Sequence, residues 1–150
     1  MKSTAIWLIT TLFLVSCAKI NDTAMNLMSS SSPAVAVVND SLLTGKVVLF
    51  TDRTGTLDLQ SDKEPVLKCM GRMRYTATQS GAVNLKCSDG TDALLTFSAI
   101  GETSGHGSGK TARGTAAFTY GMDTSEAAAY LRLPAGKPVD AAPEAAAQPR

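Results

Sequence analysis

The sequence predicts a mainly β protein: a small antiparallel meander, closed or nearly closed as a barrel or sandwich, with one short C-terminal helix. Three observations point there. Apolar and polar residues alternate with period 2 through most of the stretch from Ser41 to Leu133, the pattern of strands buried on one face. Glycine-containing turn clusters interrupt the alternation at short intervals, as they do between successive hairpin strands. Two cysteines, Cys69 and Cys87, fall on the same face of consecutive strands.

Residues 1–16 come first. A basic Lys2 precedes an apolar stretch from Ala5 to Val15, and a small Ser16 follows. The stretch is too short for a membrane-spanning helix, which needs about 20 apolar residues, and has the length of a signal-peptide apolar region. An ordinary secretory cleavage site fits poorly, because Val15 and Cys17 would have to fill its two small-residue positions. Leu14-Val15-Ser16-Cys17 resembles the lipobox of bacterial lipoproteins. That resemblance implies a signal peptidase II that reads Leu14, Val15 and Ser16 and cuts before Cys17. The Cys17 sulfur would then carry a diacylglyceryl group, and the membrane becomes a partner through acyl chains such as palmitate. Ala18 is not the Asp that retains such proteins at the inner membrane in enteric bacteria. By the same resemblance, the expected address is the periplasmic leaflet of the outer membrane.

Cysteine arithmetic agrees with export. The chain has three cysteines, and an odd count in an exported protein leaves one to explain. Lipidation of Cys17 accounts for one and leaves Cys69 and Cys87 as a pair, in a compartment where disulfides persist.

From residue 17 to about residue 40 the composition turns to Asn, Ser, Thr, Ala and Met, including the run Ser29 to Ser32 before Pro33. No structural period survives there, so the segment reads as a flexible tether. Its stretch Ala34 to Val38 is apolar enough to supply an extra strand. A single β domain is expected over residues 41–133. Residues 134–150 are Ala- and Pro-rich and read as a disordered tail.

Each element of the body follows from its pattern. Val47, Leu49, Leu57 and Leu59 share one face around a turn at Asp52 to Gly55. Leu67, Cys69, Gly71, Met73, Tyr75 and Ala77 alternate with polar or exposed positions. After a turn at Gln79 to Gly81, Val83, Leu85 and Cys87 take the inward face, and beyond Ser88-Asp89-Gly90 so do Ala93, Leu95, Phe97 and Ala99. Pairing about a centre near Thr78 sets Cys69 opposite Cys87, which favours a disulfide. Two cysteines with no neighbouring His or carboxylate make a poor zinc site, so no metal is expected.

The last hairpin has Gly105, Gly107 and Gly109 on one face. Bare strand faces mark sharp curvature or close approach of another group, and Phe97, Phe118 or Tyr75 could cover them. Asp123-Thr124-Ser125-Glu126 reads as a capping box that opens a short helix, with Tyr130 and Leu131 plugging one end of the sheet. In all, seven strands are expected.

The chemistry-bearing residues are few. Ser104, His106, Ser108 and Lys110 share the outward face of the Gly-rich strand and form a candidate surface binding strand. A lone His without an orienting carboxylate or adjacent nucleophile makes a weak catalyst, so no catalytic residues are assigned and the protein is read as not an enzyme. A triad drawn from Ser104 or Ser108, His106 and Asp89 or Glu102 is the rival, a cell-wall or glycan-directed hydrolase. Gly109-Lys110-Thr111 resembles the end of a P-loop, but Ser104 stands where the pattern needs Gly and a strand pattern follows, so neither nucleotide nor another cofactor is expected. Lys2 is one of 14 basic residues, and the other 13 balance 13 acidic ones. No basic block or stripe stands out along the chain. Nucleic acid and electrostatic adhesion to anionic lipid therefore lack support from the linear sequence.

Cys69-Met70-Gly71, Cys87-Ser88-Asp89-Gly90 and the Gly-rich hairpin resemble a pattern of small bacterial envelope lipoproteins that carry no assigned activity. A lipid-anchored small barrel with one disulfide also resembles the membrane-bound C-type lysozyme inhibitors, and Ser104 to Gly107 loosely resembles their Ser-Gly loop. The expected function is a lipid-anchored envelope module that binds a protein or glycan, or serves structurally, without catalysis.

Overall fold

Alternation along each strand becomes closure in three dimensions, because the inward residues of successive hairpins share one core. The computed structural model describes residues 29–131. Its strands are β1 Ser29–Val38, β2 Ser41–Phe50, β3 Thr54–Gln60, β4 Lys68–Tyr75, β5 Ser80–Cys87, β6 Asp92–Ala99, β7 Gly105–Thr111 and β8 Gly114–Tyr120. A helix, α1, spans Thr124–Tyr130. Each strand pairs antiparallel with the next, and β8 returns to β1, closing an up-and-down barrel with no free edge. No helix among the described residues is long and apolar enough to cross a membrane. Leu14 to Cys17, the rest of the segment before Ser29, and the 134–150 tail lie outside the described residues.

The β class, the meander and the terminal helix are as the sequence predicts, but the described residues form eight strands rather than seven. The additional strand is β1, taken from the residues read as tether. Its alternation is hidden because both faces are buried. Ala34, Ala36 and Val38 enter the barrel core, while Val35 and Val37 lie under Ala127 and Leu131 of the C-terminal segment. The turn that joins β1 to β2 is Asn39-Asp40, both residues at positive φ (46° and 66°). That is the two-residue turn matched to strand twist.

The interior is packed with side chains. Val47, Leu57, Leu59, Met73, Val83, Leu85, Leu95 and Phe118 are all at most 2% exposed. An eight-stranded barrel has an interior just wide enough for side chains to fill. Cys69 and Cys87 are directly opposite in register and form a disulfide, Cα–Cα 4.0 Å. The Ser88 N–H donates to the Lys68 carbonyl at 2.8 Å, which makes the two cysteines a closely spaced, non-hydrogen-bonded pair.

Two turn assignments change. Gly55, expected at the end of the β2–β3 turn, is buried inside β3, and the positive φ of that turn falls on Arg53 (66°). Gly81 likewise belongs to β5, and Ala77 is exposed in the turn before it rather than inward. Gly90 does supply a positive φ (83°) to the β5–β6 turn.

The helix does not plug an end of the barrel. Asp123 caps it, its carboxylate accepting from the Glu126 N–H at 2.8 Å. Ala127 and Leu131 then pack on the outer face of β1, with Leu42, Ala117 and Met122 around them. Apolar Val35 and Val37 on the outside of the barrel require that cover.

Candidate functional site

Strand β7 presents bare glycines inward and the candidate binding residues outward. A Cβ at Gly107 would collide with the Phe118 ring and stand 2.8 Å from the Thr96 carbonyl oxygen. Tyr120 fills the space at Gly105 in the same way, and Phe97 does so at Gly81. Of the expected covering rings, Phe118 lies over β7, Phe97 covers a different glycine, and Tyr75 packs edge-on against Phe97 at 4.8 Å. The sequence reading did not name Tyr120 as a cover.

On the outer face, register places His106 between Ser98 and Thr119, Ser108 between Thr96 and Ala117, and Lys110 between Leu94 and Thr115. The His106 ring stacks on Tyr130 of α1, centroids 4.2 Å apart and planes 19° from parallel. Such a stack clamps the end of the helix to the barrel wall. Ser104 lies before β7, and its carbonyl closes the β6–β7 turn by accepting from Ile100 N–H at 2.9 Å and Gly101 N–H at 3.2 Å. Gly109-Lys110-Thr111 ends a strand that turns back into another strand, so the strand-to-helix geometry that aims N–H groups at phosphate is not formed there.

Asp89 belongs to a different cluster, at the rim that carries the turns 39–40, 88–91 and 112–113. Its carboxylate accepts from the Thr91 N–H at 2.9 Å and the Thr91 hydroxyl at 3.0 Å, and pairs with the Arg113 guanidinium. Arg113 also donates to Thr91 Oγ1, as does Asn39 Nδ2 at 3.3 Å. The Thr111 hydroxyl donates to Asn39 Oδ1. Three turns are thus tied by one polar network. The Thr91 N–H chiefly, with the Thr91 hydroxyl and Arg113, holds the Asp89 carboxyl below its ordinary 3.8 against partial desolvation. Nothing in the linear spacing of Asn39, Asp89, Thr91, Thr111 and Arg113 announces this cluster.

The opposite rim holds a depression of about 780 Å³ bordered by Phe50, Arg53, Tyr75, Gln79 and Glu102. Arg53 lies over the Tyr75 ring at 5.7 Å and donates to the Ala77 carbonyl at 2.6 Å. Tyr120, near this rim, is 1% exposed, and its hydroxyl makes no hydrogen bond of ordinary geometry. Burial first, and the neighbouring Tyr75 hydroxyl second, push its pKa far above the usual 10. A second depression of about 720 Å³ lies along the 61–67 loop, with Leu42, Pro65, Val66 and Leu67 in its wall. Among the described residues no three His, Cys, Asp or Glu side chains converge as a metal site would require.

Comparison with protein-family models, curated proteins and solved structures finds no match for this chain.

Proposed function

We propose that this protein is a lipid-anchored bacterial envelope lipoprotein whose barrel acts as a non-enzymatic binding or structural module. The observation that carries the reading is the engagement of His106. A catalytic histidine needs an acid or nucleophile within hydrogen-bond reach, and here the ring is stacked on Tyr130. Asp89, one of the two carboxylates that could have completed a triad, is committed to Thr91 and Arg113 at a rim.

The anchor reading rests on Leu14-Val15-Ser16-Cys17. A diacylglyceryl group carries more than one acyl chain, and two chains suffice for stable attachment at about 0.8 kcal/mol per buried methylene. The barrel holds its own core and closes on itself, so it folds independently of the lipid. Replacing Cys17 with Ser is expected to abolish palmitate labelling while the barrel stays intact. Persistent lipid labelling of the Cys17→Ser protein would overturn the reading.

A further inference from the structure

The pleat of the sheet assembles a charged surface that the linear sequence conceals. Successive strand residues point to opposite faces, so Lys68, Arg72 and Arg74 all project outward from β4 and are exposed. Register adds Lys86 of β5 beside Met70, and Lys110 of β7 beside Leu94. The carboxylates in register with this group are Asp58, across from Met70, and Asp92, across from Lys86. Lys86 and Asp92 meet at 4.0 Å as an exposed pair, a geometry of small energetic value. Among the described residues, the side chains of Lys68, Arg72, Arg74 and Lys110 have no ion-pair partner. The absence of a basic stripe along the chain therefore does not hold for the folded wall.

Two apolar side chains stand within these cations. Met70 and Leu94 are 69% and 64% exposed, more than any other large hydrophobic residue described. A shallow depression of about 1140 Å³ on this wall has Met70, Arg72, Asn84, Lys86, Leu94 and Lys110 in its lining. Apolar side chains rimmed by Lys and Arg suit the boundary between headgroups and acyl chains in a bilayer with anionic lipid. A closed barrel offers no strand edge for a peptide to extend, so a protein segment would have side-chain contacts alone.

We propose that the outer wall of β4 to β7 is a docking surface for an anionic phospholipid bilayer and lays the barrel against the leaflet that holds its anchor. The setting rests on the lipoprotein reading. The chain from Cys17 to Ser29 spans at most about 40 Å, longer than the roughly 34 Å of a ten-residue strand, so this wall can reach the leaflet.

The test uses the mature chain from residue 17 carrying Cys17→Ser, which separates wall binding from lipidation. The protein is sedimented with vesicles of phosphatidylcholine alone, or of phosphatidylcholine with phosphatidylglycerol. The expected result is partition into the anionic vesicles only, lost near 1 M salt, where the screening length falls to about 3 Å. Arg72→Gln with Lys110→Gln is expected to weaken partition about thirtyfold, two charges' worth near an anionic surface. Met70→Ser with Leu94→Ser should weaken it too, while Lys63→Gln on the rim loop should not. Unchanged melting of each variant shows that the barrel persists. Equal partition into both vesicle types, no partition into the anionic ones, or binding to poly-L-glutamate but not to vesicles would each overturn the proposal. None of those results bears on Cys17, whose lipid labelling is read separately.

Discussion

The ring of Phe118 on β8 occupies the space in which a side chain at Gly107 on β7 would stand. The pair packs an aromatic ring against bare backbone, which lets an eight-stranded barrel hold large rings in its core. Gly107→Ala should therefore force Phe118 or the strand to shift, at a cost of about 1–3 kcal/mol for overpacking. Chemical denaturation of the single variant checks this. An unchanged midpoint would mean that the ring does not lie where the packing places it.

The disulfide joins the central hairpin of a small domain. Replacing both Cys69 and Cys87 with Ala should cost on the order of 2–5 kcal/mol, since the bridge restrains the unfolded chain. For a domain of this size the melting temperature should fall by roughly 10 °C or more. Alkylation without reductant should label neither thiol in protein taken from the periplasm. Two labelled thiols would break the pairing, and with it the register centred near Thr78.

How far the sequence could be read depends on which faces are buried. Strands β3 to β6 show period 2 because one face meets the core and the other meets water, and that period together with a turn centred near Thr78 sets Cys69 opposite Cys87. Strand β1 escapes because Ala34, Ala36 and Val38 face the core while Val35 and Val37 face α1, so nothing alternates. The overlooked signal is Asn39-Asp40, a good two-residue hairpin turn. The helix has a legible start at Asp123, but its seat depends on β1, of which the sequence offers only the apolar stretch Ala34 to Val38 as an extra strand within a tether. Of the candidate binding strand, the outward parity of His106 and Ser108 is legible. The stack of His106 on Tyr130 is not, because it joins elements whose packing angle no spacing encodes. The rim network and the basic wall stay hidden for a related reason: closure brings together residues far apart in sequence.

Acid should loosen the rim. The Thr91 N–H, the Thr91 hydroxyl and Arg113 lower the Asp89 pKa in the fold, and the Glu126 N–H with Ser125 lowers that of Asp123. A depressed carboxylate stabilises the fold at pH well above its unfolded value of about 3.9 and loses that contribution as pH falls through the folded value. Melting temperature should therefore be insensitive to these two groups near neutrality and should drop below about pH 4. Asp89→Asn should melt lower than the parent at neutral pH and show a shallower acid limb. Parallel curves for the two proteins would contradict the network's role.

Intact mass spectrometry of the protein purified from envelopes tests the central claim most directly. The account predicts a chain that begins at Cys17 and carries the added mass of a diacylglyceryl group. That chain has lost Trp7, the sequence's single tryptophan, and with it any indole emission. A chain that starts elsewhere, retains Trp7 or carries an unmodified Cys17 would contradict the account.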